Sequence, residues 1–298
     1  MTGVFEAEHT AAEMSPIHPQ STVCAILGHP VGHSLSPAIH NAAFQALGLD
    51  YVYVAHDVRP EDLPDAIRGA RALGYRGLSI TIPHKVAALG WMDEVDDTAR
   101  GIGCINTVVV DRGRLVGHNS DGLGALGALR SAGADPRGRR VLLLGSGGAA
   151  RALAMTLAMH APPDRLVILG IVPDELGTLV SDLELRARYR AEGRALDHAT
   201  LSTELARADL LLHATPVGMH PNREQSLVPA GLLHSGLVVF DAVYNPRETR
   251  LLGEARAAGA RVVEGVEMFL GQAVVQFELW TGHPAPTEVM RHVLEERL

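Results

Sequence analysis

Apolar runs of strand length alternate with helix-length amphipathic segments over the first third of the chain. Within SLSPAIHNAAFQALG we expect Ser36 at the helix N-cap, Pro37 at the first helical position and Gly48 just past the end. The predicted strands are residues 23–28, 51–58 and 78–82, and the predicted helices are residues 34–48 and 61–74. This order of strands and helices is typical of an α/β domain.

The third strand, LSITI, alternates apolar and polar side chains. A period of two places Leu78, Ile80 and Ile82 on one face, and Ser79 and Thr81 on the other. The proline that follows should end the strand, because proline cannot donate a ladder hydrogen bond.

The pattern changes in the second part of the chain. CINTVVV and LVGHN flank the turn Asp111 to Arg114 and predict a β-hairpin, and a helix is predicted after Asp121. Short buried-strand candidates then alternate with helix-length segments, at residues 141–145, 166–170, 210–214 and 238–242. This is the signature of a doubly wound parallel sheet, and a final amphipathic helix from Glu267 could pack on either half. We therefore predict an α/β protein of two domains.

Composition and charge narrow the possible partners. The chain has 26 Lys and Arg against 34 Asp and Glu, a net charge of −8, and no basic block, so we expect no nucleic-acid partner. Cys24 and Cys104 are isolated, which favours a reducing, cytoplasmic setting. Residues 1–20 lack the features of a signal peptide and are interpreted as a flexible extension. The most apolar window, from Val141, contains Arg151, so no membrane span is expected.

The strongest general motif is a glycine-rich turn between a buried strand and an alanine-rich helix. Gly145 to Ala150 fits G-x-G-x-x-A, in which glycines allow a tight turn and let the backbone approach a pyrophosphate at the helix N-terminus. The motif alone also occurs in plain strand-to-helix turns. Its context here favours dinucleotide binding.

Two charged residues stand where strands end. Lys85 follows LSITIP and Asp121 lies at the junction of the two patterns, so both would point into a crevice between the domains. Taken singly, a surface charge for the lysine and a helix cap for the aspartate are the simpler interpretations.

The ordered set of loop motifs closely resembles the shikimate dehydrogenase family. The motifs run from Ile26 to about Gly282: ILGHPVGHSLSPAIHN, LSITIPHK, GCINTVV, GHNSDG, LLLGSGGAARA, HATPVGM, FDAVYNPRETRLL and GVEMFLGQAVVQFELWTG. The resemblance implies an N-terminal α/β substrate domain and a Rossmann-like doubly wound dinucleotide-binding domain. We expect residues 21–120 with 266–298 to form the first and residues 121–265 the second.

The resemblance also implies an activity and a set of site residues. The expected reaction is reversible hydride transfer between a nicotinamide cofactor, NAD or NADP, and shikimate or 3-dehydroshikimate, with Lys85 and Asp121 as the catalytic pair. The expected substrate-binding residues are Ser34, Ser36, Thr81, Asn106, Tyr244 and Gln272. The expected cofactor-binding residues are Gly145, Ser146, Gly147, Gly148, Ala149, Asp174, Thr215, Val243, Gly265 and Met268. No metal site is expected.

The cofactor loop departs from the family pattern. NADP-dependent members usually carry Asn-Arg-Ser/Thr and a further base after the second strand, whereas residues 170–175 here read GIVPDE. Two acids would repel a ribose 2′-phosphate, and Asp174 or Glu175 could accept hydrogen bonds from a free 2′-hydroxyl, which favours NAD. The alternatives are that these acids only cap the next helix, or that Arg151 reaches the phosphate.

Smaller departures and competing functions remain. Ser120 stands where the family more often has Thr, and His213 where it more often has Asn, which could add pH dependence. A quinate or aminoshikimate dehydrogenase of the same family is the first competitor, and a non-catalytic nucleotide sensor ranks lower. A metal hydrolase lacks a suitably spaced ligand set. We expect either a monomer or a homodimer.

Overall fold

The computed structural model describes residues 17–298, and most of the predicted N-terminal extension, residues 1–16, lies outside the described residues. Within residues 17–298 no helix is long and apolar enough to cross a membrane.

The first half of the chain forms a mixed six-stranded sheet with the strand order β2-β1-β3-β5-β6-β4. Its elements are β1 (Thr22–Gly28), α1 (Ser36–Ala46), β2 (Tyr51–Asp57), α2 (Leu63–Ala72), β3 (Gly77–Ile80), β4 (Glu94–Val95), α3 (Asp97–Ile102), β5 (Thr107–Asp111) and β6 (Arg114–His118). Strand β1 runs parallel to β2 and β3, whereas β5 is antiparallel to β3 and β6. The carboxyl ends of β1 and β3 therefore meet at one edge of the sheet.

The second half forms a fully parallel six-stranded sheet with the order β12-β11-β10-β7-β8-β9. Its elements are α4 (Asp121–Ser131), β7 (Arg140–Leu144), α5 (Gly148–His160), β8 (Arg165–Gly170), α6 (Pro173–Ala187), β9 (Glu192–Ala195), α7 (His198–Leu205), β10 (Leu210–His213), β11 (Val238–Asp241), α8 (Arg250–Ala257) and β12 (Arg261–Val263). The chain ends with α9 (Gly265–Thr281) and α10 (Thr287–Glu295). The two sheets confirm the predicted α/β architecture with a Rossmann-like half.

Most of the predicted elements are present. The four apolar runs of the second half are β7, β8, β10 and β11, and the hairpin turns where predicted, with Arg112 and Gly113 at φ values of 48° and 78°. The sequence pattern missed β9, because its residues EGRA are polar and mostly exposed at the edge of the sheet. The predicted boundaries between the two domains stay a prediction.

Two local predictions were wrong. Helix α1 begins at Ser36 rather than after it, because Leu35 already has helical backbone angles and occupies the N-cap. The positive φ of Gly48, 62°, does follow the helix end as expected. Strand β3 stops at Ile80, so Ile82 does not continue its buried face and its side chain is 73% exposed.

Helix α9 joins the two halves. Its Phe277 and Trp280 are buried in the core of the first half, whereas its N-terminal part crosses α4 at close range. A Cβ atom on Gly124 would lie 2.4 Å from the backbone nitrogen of Gln272, and one on Gly271 would lie 2.8 Å from the carbonyl oxygen of Gly124. Paired glycines let the two helix backbones touch. This contact brings the start of α4 and the middle of α9 to the same pocket.

Candidate active site

A pocket of about 420 Å³ lies between the two halves. Every predicted catalytic and substrate-binding residue lines it: Ser34, Ser36, Thr81, Lys85, Asn106, Asp121, Tyr244 and Gln272. These residues come from separate loops and helices. The fold therefore brings together residues that lie up to 238 positions apart in the sequence. Their roles toward a ligand remain predictions.

The loop after β3 fixes the backbone of Lys85. The preceding His84 is buried and donates from Nε2 to the carbonyl oxygen of Val58 at 2.7 Å, while its N–H donates to the carbonyl oxygen of Thr81 at 2.8 Å. The N–H of Ile105 donates to the Lys85 carbonyl at 2.9 Å. The lysine side chain therefore leaves a braced loop and is itself only 30% exposed.

Asp121 is the first residue of α4 and faces Lys85 directly. Lys85 Nζ lies 2.5 Å from Asp121 Oδ2, and Asn106 Nδ2 donates to Oδ1 at 2.8 Å. A carboxylate in the first turn of a helix is further stabilised by the free backbone N–H groups there. The simpler interpretation as a helix cap does not describe this residue, because its carboxylate is bound to Lys85 and Asn106 instead.

The ion pair decides the pKa of Lys85. Burial by itself would lower this pKa, but the charge and the hydrogen bond of Asp121 outweigh burial, so the pKa lies above its ordinary value. Burial raises the pKa of the nearby Tyr244 phenol, which the charge of Lys85 partly offsets. Before any substrate enters, Lys85 therefore carries a proton that it can donate.

The buried side chain of Asn106 is satisfied within the protein. Its Oδ1 accepts from the N–H of Ser120 at 2.7 Å and from Thr107 Oγ1 at 2.8 Å, and its Nδ2 donates to Ser120 Oγ at 3.0 Å as well as to Asp121. These hydrogen bonds within the protein supply the partners that a buried amide needs. Asn106 thereby fixes the orientation of the Asp121 carboxylate.

The remaining predicted substrate residues surround the ion pair. Ser34 Oγ accepts from the N–H of Ser36 at 3.3 Å at the start of α1, so both hydroxyls stand at a helix N-terminus. Tyr244 packs its ring on Phe269 at 5.2 Å, and Gln272 donates to the carbonyl oxygen of Phe269 at 2.9 Å. These walls offer hydroxyl, amide and phenol groups to a small polar ligand.

Ser79 and Gln276 also line this pocket and were not among the predicted site residues. Ser79 accepts from Tyr53 Oη at 2.6 Å and donates to Gln276 Oε1 at 2.9 Å, forming a buried floor. The period of two in LSITI already placed Ser79 on the face of Thr81, which was the available signal. No sequence signal distinguished Gln276 from a core residue of α9.

The glycine-rich turn combines a tightly packed glycine with a stretch of open backbone. Gly145 adopts a φ of 112° and packs against Ala214, where a Cβ would lie 2.7 Å from the carbonyl oxygen. By contrast, nothing lies within 4 Å of a Cβ built on Gly147 or Gly148, so the start of α5 presents open backbone. No side chain caps this helix, which leaves its N–H groups free for an anion.

The other predicted cofactor residues are grouped around this turn and the pocket. Gly265 and Met268 of α9 line the pocket, and Thr215 lies beside Gly145. The N–H of Val243 donates to Asp241 Oδ1 at 3.0 Å, which fixes the loop after β11. Within residues 17–298 no group of three His, Cys, Asp or Glu side chains is arranged to hold a metal ion.

The loop after β8 carries negative charge next to the glycine-rich turn. Asp174 and Glu175 lie in the first turn of α6 without capping it, and Glu175 Oε2 lies 3.4 Å from Ser146 Oγ. Arg151 does not serve this loop: it binds the carbonyl oxygens of Gly101 and Ile102 and the carboxylate of Asp182. The guanidinium group of Arg151 is therefore already bound elsewhere in the protein. This argues against the alternative in which Arg151 holds a 2′-phosphate.

Two segments of the chain match models of a known protein family, and whole relatives match nearly the full chain. Residues 26–108 match the shikimate dehydrogenase substrate binding domain, and residues 265–295 match the shikimate 5'-dehydrogenase C-terminal domain. The chain is 49% identical over 281 residues to the shikimate dehydrogenase (NADP(+)) of Methanopyrus kandleri, which covers 94% of this chain and 97% of that protein.

Solved structures agree with these matches. The shikimate 5-dehydrogenase of Listeria monocytogenes in complex with shikimate and NAD has a TM-score of 0.90 at 34% identity, covering 94% of this chain and 98% of the other. Quinate dehydrogenase from Corynebacterium glutamicum in complex with NAD has a TM-score of 0.86 at 31% identity, covering 93% and 99%. The resemblance seen in the loop motifs is thereby confirmed, and the chain belongs to the shikimate dehydrogenase family.

Proposed function

We propose that this protein interconverts shikimate and 3-dehydroshikimate by hydride transfer with a nicotinamide cofactor. The observation that carries the proposal is the ion pair of Lys85 and Asp121 inside a pocket lined by hydroxyl, amide and phenol groups. A small polyhydroxylated ring acid needs a grip for its carboxylate, partners for its hydroxyls and one proton donor beside the reacting carbon. One pocket offers all three.

Lys85 is the general acid of the reduction. Its raised pKa keeps the ammonium group charged at neutral pH, so it can donate a proton to the carbonyl oxygen as that oxygen becomes negative. In the oxidation the same group has to lose its proton before it can accept one from the substrate hydroxyl. The oxidation is therefore expected to accelerate as the pH rises, while Asp121 holds the ammonium group in place.

The substrate is gripped by groups on several elements. Ser34 and Ser36 bind the carboxylate at the N-terminus of α1, where the positive end of the helix dipole adds favourable charge. Thr81, Tyr244 and Gln272 bind ring oxygens. Asn106 acts on the substrate mainly through Asp121, because the hydrogen bonds of its side-chain amide are already made within the protein.

The cofactor binds at the glycine-rich turn, and we propose NAD over NADP. The cofactor supplies the hydride in reduction and accepts it in oxidation. The backbone from Gly145 to Ala149 holds its phosphates. The 2′-position is expected near Asp174 and Glu175, where a carboxylate accepts a bond from a hydroxyl but repels a phosphate. The relative from Methanopyrus kandleri is named as NADP-dependent, and the Listeria neighbour holds NAD, so the relatives differ on this property.

Quinate is the second candidate substrate, supported by the similarity to the Corynebacterium quinate dehydrogenase. Quinate has an extra hydroxyl and a non-planar ring. The paired serines, Ser34 and Ser36, favour the flatter shikimate at the carboxylate site.

The test is a steady-state comparison of shikimate and quinate with NAD and NADP, in which the absorbance of the reduced cofactor reports the rate. We expect the highest kcat/KM with shikimate and NAD. A preference for quinate would mean that quinate, and not shikimate, is the substrate. A strong preference for NADP would overturn only the cofactor assignment. Ligand binding without turnover in all four combinations would contradict the enzymatic function and favour a sensor.

A further inference from the structure

Two buried polar groups and one half-buried hydroxyl form a chain of hydrogen bonds at the carboxyl ends of β10 and β11. His213 Nδ1 lies 2.8 Å from Asp241 Oδ1, and His213 Nε2 lies 2.6 Å from Thr215 Oγ1. His213 is 2% exposed and Asp241 is fully buried. Neither residue lines the substrate pocket, and the proposed proton transfer uses neither.

The surroundings of Asp241 determine which nitrogen of His213 carries the proton. Asp241 accepts at Oδ1 from the N–H of Val243 at 3.0 Å and at Oδ2 from Thr249 Oγ1 at 2.6 Å. A carboxylate has no hydrogen to donate and already accepts from both of these groups, so His213 Nδ1 is the donor in its contact with Asp241. In the neutral imidazole the other nitrogen, Nε2, is then an acceptor.

This tautomer fixes the direction of the Thr215 hydroxyl. Because Nε2 accepts, the hydroxyl proton of Thr215 points at His213 and is not available to anything else. Thr215 Oγ1 accepts from the N–H of Val217 at 3.3 Å, which leaves one more lone pair. Toward a ligand, the hydroxyl of Thr215 is therefore an acceptor only.

Thr215 stands where a cofactor would pass. A Cβ atom on Gly145 of the glycine-rich turn would lie 3.2 Å from Thr215 Cγ2, so the two are in contact. An acceptor at this position suits a ligand group that donates a hydrogen bond, such as a ribose hydroxyl or a carboxamide N–H. It does not suit a phosphate oxygen, which has no proton to give at neutral pH.

We propose that His213, held by Asp241, is a positioning residue that presents Thr215 as a hydrogen-bond acceptor for a ribose hydroxyl or the carboxamide of the nicotinamide cofactor. The proposal rests on the cofactor site of the proposed function and goes beyond it, because it assigns a role to two residues that do not touch the cofactor. It also assigns the chemical class of the group that Thr215 binds.

A double-mutant cycle on cofactor binding tests the proposal. The substitutions are Thr215→Val, which removes the acceptor, and His213→Asn, whose shorter amide can still reach Asp241 but has no atom at the Nε2 position. The dissociation constants of NADH and NADPH are measured by cofactor fluorescence for the wild type, both single variants and the double variant. We expect each single change to weaken binding of the preferred cofactor by about five- to tenfold, as for one lost hydrogen bond.

The double variant discriminates a positioning role from a structural one. If His213 acts through Thr215, the double variant binds no more weakly than Thr215→Val alone, whereas independent effects would multiply and overturn the proposal. Thr215→Ser keeps the hydroxyl and should restore wild-type affinity, together with its sensitivity to His213→Asn. In turnover, the KM for the cofactor should rise while kcat changes less than twofold. A wild-type affinity in His213→Asn would also overturn the proposal.

Two controls keep the outcomes separate. Thermal unfolding of each variant identifies loss of folded protein, and His213→Gln supplies a second variant that places an amide near the Nε2 position. Under the proposal, His213→Gln binds the cofactor more tightly than His213→Asn, and the reverse order contradicts it. Oxidation of shikimate by the wild type tests the proposed function itself, so its failure is distinguishable from that of the cycle.

Discussion

The proposed substrate side and the proposed cofactor side of the pocket present different parts of the chain to a ligand. On the substrate side, side chains such as Lys85, Asp121 and Asn106 already bind one another, so the chemical groups are oriented before a ligand arrives. On the cofactor side, the backbone around Gly147 and Gly148 stays open. Proton transfer needs a particular side chain at a particular atom, whereas a pyrophosphate needs backbone N–H groups and space.

Replacing Lys85 gives the largest expected effect and tests the substrate side. Lys85→Ala removes the only group proposed to accept the proton of the substrate hydroxyl in oxidation, so kcat for shikimate should fall by about 10²- to 10⁴-fold while KM changes by a few-fold. Lys85→Arg is the matched control, since it keeps the positive charge but holds its proton too tightly to donate it. Near-normal turnover in either variant would remove Lys85 from the mechanism.

The next effect concerns the charge beside the cofactor turn. Combining Ile171→Arg with Glu175→Gln removes a carboxylate and supplies a guanidinium, so the ratio of kcat/KM for NADP over NAD should rise at least about tenfold. Glu184→Gln changes the same charge at an exposed position late in α6, away from the turn, and should leave the ratio unchanged. An equal response in both would mean that only net charge matters.

A pair of glycine substitutions separates the two functions of the turn. Gly145→Ala should destabilise the protein by about 1–3 kcal/mol, because its φ of 112° and its contact with Ala214 exclude a side chain. Gly147→Ala has a negative φ and free space, so its stability to denaturant should stay near wild type while NADH binding weakens. Urea unfolding and NADH fluorescence measure both quantities. Equal losses of stability would contradict the distinction.

The smallest effect is a shift in pH dependence. Reduction of 3-dehydroshikimate needs protonated Lys85, so its rate falls as the pH rises through the pKa of Lys85, which lies above the ordinary value. Asp121→Asn removes the charge that raises this pKa and leaves burial, which lowers it. The alkaline fall of the residual rate should therefore begin at a lower pH than in the wild type. If the alkaline fall began at the same pH as in the wild type or at a higher pH, a group other than Lys85 would set the alkaline limb of the pH profile.

The same contrast explains what the sequence could predict. Strands β7, β8, β10 and β11 were predictable because strands buried on both faces are continuous apolar runs. The pocket residues were predictable through the ordered loop motifs and the family resemblance that those motifs carry, whereas Lys85 and Asp121 taken singly gave no such signal. Edge strand β9 was not, because exposure on both sides removes the apolar signal.

Interactions between residues far apart in the sequence could not be predicted from local patterns. Arg151 reads as a free base in an alanine-rich helix, and only the fold shows that it is bound to α3 and Asp182. Likewise, His213 and Asp241 are separated by 28 positions, and only the parallel pairing of β10 with β11 places them side by side. Pairing of this kind depends on strand order, which local patterns do not contain.

The contact made by Arg151 also limits how the molecule can move. Arg151 lies in the first turns of α5, directly after the glycine-rich turn, and it holds the last carbonyl oxygens of α3, while Arg186 of α6 donates to the Arg100 carbonyl at 2.8 Å. As long as these bonds persist, α3 and the start of α5 move as one body. A displacement of α3 away from the start of α5 would therefore first have to break these hydrogen bonds.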